Sequence, residues 1–181
     1  MTAADAPPPP EDDEALGPDA DQEAVARKIL LDQLTGRARS RKELADKLAR
    51  KQVPTEVATA LLDRFEEVGL VDDAAFAQEW VQSRQAGRGL ARRALSVELR
   101  RKGVDHEVIA EAVDQVAPED EVEAARQLVR RKLPSLRRFD QVTVVRRLTG
   151  MLARKGYSAG VAYRVVRDEI EGAEELFDGE G

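Results

Sequence analysis

Between residues 24 and 171 the apolar positions recur at helical spacing. Ala26, Ile29, Leu30 and Leu34 fall at i, i+3, i+4 and i+8, one face of a helix that Gly36 ends. Ser40-Arg41-Lys42-Glu43 reads as a capping box opening a second helix with Leu44 and Leu48 inward. A third helix starts near Pro54, with Val57, Leu61, Phe65 and Val68 as its buried stripe, and stops at Gly69. Three more helices follow. The first, capped by Asp72 or Asp73, carries Phe76, Trp80 and Val81 and is broken by Gly87-Arg88-Gly89. The second carries Leu95 and Leu99 and ends at Gly103, and the third, capped by Asp105, places Val108, Ala112, Val113 and Val116 inside. A last trio begins at Pro118, followed by acids that suit a helix N-terminus. It turns Val122, Ala125, Leu128 and Val129 inward. It continues through Val144, Leu148 and Leu152 to Gly156, and closes with a Ser158-capped helix holding Val161, Val165 and Val166 and ending near Ile170. The β-branched cluster 142–145 keeps helical spacing, so no strand is predicted.

The three trios are copies of one unit. Leu-Ala-Arg-Lys-Gln-Val at 48–53 returns as Leu-Arg-Arg-Lys-Gly-Val at 99–104 and as Leu-Ala-Arg-Lys-Gly-Tyr at 152–157, at offsets of 51 and 53 residues. A period near fifty marks one supersecondary unit built repeatedly. Gln52 departs from the glycine of the other two copies, and a looser or shifted helix end is expected there. Each unit is too small to bury much core alone, so neighbours should stack. The expected architecture is all-α: three tandem three-helix repeats, elongated and curved. The repeats are placed at 24–71, 72–117 and 118–171, after an acidic, Pro-rich, disordered tail at 1–23 and before an acidic tail at 172–181.

Charge changes the picture. The formal net charge is −6, yet residues 1–24 hold eight acids and no base, and 172–181 hold four acids and no base. The body at 25–171 therefore carries all 29 Lys and Arg against 23 acids, a net +6. A basic body favours polyanions, although a solvated helical surface accounts for the same charge. There is no cysteine and one histidine, His106, which removes thiolate metal sites and leaves nothing for a histidine cluster. No Walker loop is present. No catalytic residue, metal site or cofactor is expected. With no apolar run of about 20 residues and no secretory signal pattern, a cytoplasmic protein without membrane contact is expected.

The segment from Val68 to Val104 is the most distinctive. It reads Gly69-Leu70-Val71-Asp72-Asp73, Phe76-Ala77, Ser83-Arg84, Gly87-Arg88-Gly89, then Glu98-Leu99 and Lys102-Gly103-Val104. This series resembles the bacterial regulatory protein RecX family, and the likeness extends less sharply over 25–171. It implies a non-enzymatic regulator that binds the RecA recombinase, chiefly its filament on single-stranded DNA, and damps ATPase, strand exchange and co-protease activity. That role belongs to DNA repair, homologous recombination and the SOS response. Single-stranded DNA is a further expected contact, through the filament or directly, and a monomer is expected. The competing reading is a helix-turn-helix-like DNA-binding regulator. Against it, the third helices carry little base-reading chemistry: 57–68 is acidic, and 105–116 has no Lys or Arg.

The candidate partner or DNA face is basic. Arg84, Arg88, Arg92 and Arg93 flank the Gly-Arg-Gly turn and offer guanidinium groups for carboxylates or phosphates. Arg100, Arg101 and Lys102 end the second helix of the middle copy, where cations also complement the helix dipole. Arg130, Arg131 and Lys132 add a basic stretch in the third copy. Asp72 and Asp73 are read as caps, Phe76 and Trp80 as core, and His106 as a surface residue.

Overall fold

The computed structural model describes residues 18–178, with side-chain surroundings for 21–173. Among them all regular structure is helical. The helices are α1 (Pro18–Leu34), α2 (Arg41–Arg50), α3 (Thr55–Glu67), α4 (Asp73–Arg88), α5 (Arg92–Arg101), α6 (His106–Asp114), α7 (Pro118–Lys132), α8 (Gln141–Arg154) and α9 (Ala159–Asp178), with a 3-10 turn at Leu133–Leu136. Two compact units result. The smaller holds α1, α3 and α2 from Glu43 onward; the larger holds 40–42 and the chain from Asp72 on. Within the larger unit Ser40 is fully buried and donates its hydroxyl to the Lys102 carbonyl at 2.7 Å. Asp73 accepts the Arg41 N–H at 2.8 Å.

Each trio encloses an apolar core. Ala26, Leu30, Leu44, Leu48, Leu61 and Phe65 close the first. Phe76, Ala77, Leu95, Leu99, Ile109 and Val113 close the second. Val129, Leu148, Leu152, Val165 and Val166 close the third, which also takes in Ala91 from the residue before α5.

The repeated motif is a helix stop. In each copy the leucine is fully buried (Leu48, Leu99, Leu152). Its carbonyl accepts the N–H five residues on, from Val53 at 3.1 Å, Val104 at 3.2 Å and Tyr157 at 3.2 Å. The residue just before that donor is left-handed: Gln52 at φ 59°, Gly103 at 76°, Gly156 at 93°. This is the Schellman arrangement, whose apolar contact explains why an aliphatic or aromatic residue follows the glycine. Gln52 thus ends its helix at the equivalent position, with no shift, but as a side-chain-bearing residue in a region that costs about 1–2 kcal/mol. Gln52→Gly is therefore expected to stabilise the smaller unit by about 0.5–1 kcal/mol, because the added backbone freedom of the unfolded chain offsets part of the relief. Urea unfolding of the full chain should show a higher midpoint; a lower one would mean the glutamine side chain holds the turn.

Several boundaries differ from the sequence reading. α1 begins at Pro18, inside the predicted tail, and Glu23 accepts from Arg27 and from Arg64 of α3, each at 2.8 Å. Residues 1–17 of that tail lie outside the described residues. α9 runs through the predicted C-terminal tail to Asp178, because Gly172 costs a helix only about 1 kcal/mol and its neighbours are good helix formers; residues 179–181 are outside the described range. Gly87 stays within α4, and Gly89 alone turns left-handed, at φ 59°. Val68, expected inside, is 69% exposed, since the helix ends at Glu67 and the apolar stripe ends with it. Ile109 fills a core position that the predicted stripe of α6 omitted.

Candidate functional site

On α4, Trp80, Arg84 and Arg88 fall at i, i+4 and i+8 and share a face; Glu98 of α5 and Lys102, its C-cap residue, are one turn apart. The two faces meet. Trp80 is half-buried, stacks at a tilt on Phe76 with centroids 5.6 Å apart, and donates its indole N–H to Glu98 at 2.9 Å. The Arg84 guanidinium lies 4.1 Å over the indole ring and the Lys102 ammonium 4.8 Å from it. Glu98 also faces Arg84 at 3.5 Å and Arg88 at 3.6 Å. One carboxylate thus faces two guanidinium groups. Trp80 is a platform for the cations Arg84 and Lys102 rather than a plain core residue. Cation–π contacts of this half-exposed kind contribute about 0.5–1 kcal/mol each, and they hold the charged heads in place before any partner arrives.

The remaining candidate cations separate into two groups. Arg92 is committed to structure: its Nε donates to the Val113 carbonyl at 3.1 Å and its guanidinium pairs with Asp114, closing the C-terminal end of α6. Arg130 grips Glu169 of α9 through two hydrogen bonds of 2.7 and 2.9 Å. That hydrogen bonding, and then the Glu169 charge, raises its pKa further above the ordinary value. By contrast Arg93, Arg100 and Arg101 are exposed and have no ion pair among the described residues. With Val97, which is exposed as well, they occupy i, i+4, i+7 and i+8 on the outer face of α5. Arg131 and Lys132, at the end of α7, are exposed too.

The second and third repeats lock together beside this face. The Ala91 N–H donates to the Lys155 carbonyl at 2.9 Å, Lys155 Nζ to the Arg88 carbonyl at 2.6 Å, and the buried Tyr157 hydroxyl to the Gly89 carbonyl at 3.0 Å. Leu128 packs where a Gly89 side chain would stand, 2.9 Å from an added Cβ. Gly89 thus lets repeat three approach, while Gly87 faces open space. Burial lowers the Lys155 pKa, and the charges of Arg88 and Arg131 lower it further, so positive charge runs across the junction from α4 to α7. Lys155 and Tyr157 stand in the repeated motif, but their contacts with the second repeat were not anticipated from sequence. The available signal was the tyrosine standing where the other copies carry Val53 and Val104.

Asp72 caps α4 by accepting the Ala75 N–H at 2.9 Å, and His106 is exposed at the start of α6. No group of three or more His, Cys, Asp or Glu suited to a metal ion occurs among the described residues.

Family models for the first, second and third three-helix domains of RecX match residues 26–65, 72–113 and 119–166. This chain belongs to the RecX family. It is 57% identical over 148 residues to the regulatory protein RecX of Thermobifida fusca, covering 82% of this chain and 80% of that one. It is 55% identical over 154 residues to the RecX of Streptomyces lividans, covering 85% and 82%. A crystal structure of regulatory protein RecX superposes with a TM-score of 0.75 at 27% identity, covering 83% of this chain and 74% of that one. The fold is shared with RecX from Lactobacillus salivarius at a TM-score of 0.74, 18% identity and coverages of 83% and 97%. The α4–α5 cluster lies in the part matched to the second RecX domain, and the Lys155–Tyr157 lock in the part matched to the third.

Proposed function

We propose that this RecX chain is a non-catalytic, cytoplasmic regulator that binds the RecA recombinase and its filament on single-stranded DNA as a monomer. Binding restrains ATP turnover, strand exchange and co-protease activity. The observation that carries the reading is the outer face of α5: Arg93, Arg100 and Arg101 around an exposed Val97, with no carboxylate partner among the described residues. Arginine around an apolar centre is the composition of a protein interface core, and the free guanidinium groups are matched to acidic partners. Curated relatives named regulatory proteins support the same reading. A regulator of this kind works by holding one filament state more tightly than another. A helix-turn-helix reader is less well supported, because α6 has no Lys or Arg and α3 has Glu56, Asp63, Glu66 and Glu67 against Arg64.

The test is recombinase ATP turnover on single-stranded DNA with increasing purified chain. Turnover is expected to fall, and the triple variant Arg93→Glu, Arg100→Glu, Arg101→Glu is expected to need at least about tenfold more protein for the same inhibition. Circular dichroism melts of the variant control for folding; all three side chains are exposed. Unchanged turnover at every ratio of the parent chain would remove the reading.

A further inference from the structure

The lysines of this chain differ in their surroundings. Lys28 pairs with Asp32 at 3.0 Å and Lys102 lies 4.8 Å from the Trp80 ring centre, and both settings favour the ammonium form. Lys51 and Lys132 are exposed and have no ion pair among the described residues. Lys155 is placed otherwise. It stands partly exposed just past the end of α8, at the seam between the second and third repeats, with no ion pair among the described residues. Burial and the guanidinium charges of Arg88 and Arg131 disfavour its ammonium form. The acids on this side of the molecule are engaged elsewhere: Glu121 accepts the Arg92 N–H at 3.3 Å, and Glu98 accepts from Trp80 and faces Arg84 and Arg88.

Desolvation and an adjacent cation are the two means by which a lysine becomes nucleophilic near neutral pH. The nitrogen is also fixed in position. It donates to the Arg88 carbonyl at 2.6 Å. A neutral amine keeps that bond with one N–H and leaves its lone pair directed away from the carbonyl. Arg88 and Arg131 are exposed, and Arg131 has no ion pair among the described residues. The two guanidinium groups therefore offer donors to the phosphate oxygens of a small anion that approaches the amine. An electrophile that carries a phosphate is drawn to this place, whereas a free lysine in solvent offers it one charge only.

We infer that Lys155 is a site of non-enzymatic acylation by acyl phosphates, and that this modification loosens the seam between the second and third repeats. The lone pair of the neutral amine attacks the acyl carbon. A C–N bond forms, the bond from that carbon to the phosphate oxygen breaks, and hydrogen phosphate leaves with the amine proton. The product amide is neutral, so one positive charge is lost from the junction. A neutral donor also makes a weaker bond to the Arg88 carbonyl than the ammonium does, and the acyl group needs room where nitrogen and oxygen now stand 2.6 Å apart. The inference uses no part of the α5 face and does not depend on the recombinase reading.

The test is incubation of the full chain with acetyl phosphate at neutral pH, with acetylation followed site by site by mass spectrometry. Lys155 is expected to react at least about tenfold faster than Lys51 and Lys132, since focusing of an anion by clustered cations gives factors of that order. Arg131→Gln is expected to slow the reaction at Lys155 at least about threefold more with acetyl phosphate than with uncharged acetic anhydride, because the guanidinium draws only the former. Lys155 reacting no faster than the two exposed lysines would overturn the site. Equal slowing with both reagents would overturn the acyl phosphate as its donor. The loosening is read by urea unfolding before and after treatment. Treatment should lower the midpoint of the parent chain and leave that of Lys155→Arg where it was. A midpoint unmoved in the parent, or lowered equally in both chains, would overturn the effect on the seam.

Discussion

Gly156→Ala is expected to destabilise the larger unit by about 3–4 kcal/mol. Two costs add there. The residue sits at φ 93°, where a β-carbon costs about 1–2 kcal/mol. The new methyl would also stand 2.6 Å from the Ala94 nitrogen and 2.7 Å from its Cβ, so backbone must move rather than a side-chain tip. Overpacking of that kind adds about 1–3 kcal/mol. The same contact holds the second repeat on the third, through Ala91, Lys155 and Tyr157. The control is Gly160→Ala in the first turn of α9. It meets nothing within 4 Å and should be neutral or stabilising by up to about 1 kcal/mol. Urea unfolding of both variants decides the matter: equal midpoints would show that the close approach at Ala94 relaxes freely, and the junction would not be a fixed one.

What was legible in the sequence was local chemistry. Leu48, Leu99 and Leu152 could be aligned because each supplies the carbonyl and the buried side chain of a helix stop, and that stop has a fixed spacing. Asp72 and Asp105 could be read as caps because a cap is satisfied within three residues. Partnerships across the chain were not legible. Arg92 and Arg93 are neighbours of one type, yet Arg92 reaches Asp114, 22 residues on, and Arg93 has no ion pair among the described residues. Arg130 looks like Arg131 until Glu169, 39 residues away, is seen beside it. The candidate cations were therefore legible only as basic stretches, while the division into committed and unpaired side chains came from the fold. Trp80 fell between the two cases: its i, i+4 pairing with Phe76 is a core signature, and the cations on its other side come partly from α5.

The larger unit is expected to lose stability in alkali between about pH 10 and about pH 12, and Tyr157 is the group responsible. Burial disfavours its phenolate, and the Glu121 charge adds to the effect, so its pKa is pushed up to about 12 from an ordinary 10.0. The folded chain therefore keeps the proton longer than the unfolded chain does. That contribution is complete below pH 10, where the phenol is neutral in both states, and is lost as pH rises through the folded value. A rise of that size corresponds to about 2–3 kcal/mol. Lys155, beside it, works in the opposite sense: its pKa is lowered, so raising pH toward its ordinary 10.5 relieves a burden on the folded state. A fall above that point is thus the signature of the tyrosine. Tyr157→Phe isolates it. At neutral pH the variant leaves the buried Gly89 carbonyl without its donor and should lose about 1–2 kcal/mol. Above pH 10 its urea midpoint should fall less steeply than that of the parent chain, and the two curves should converge near pH 12. Parallel curves would mean that the phenol ionises in the folded state without penalty, and water would then have to reach the seam between Gly89 and Tyr157.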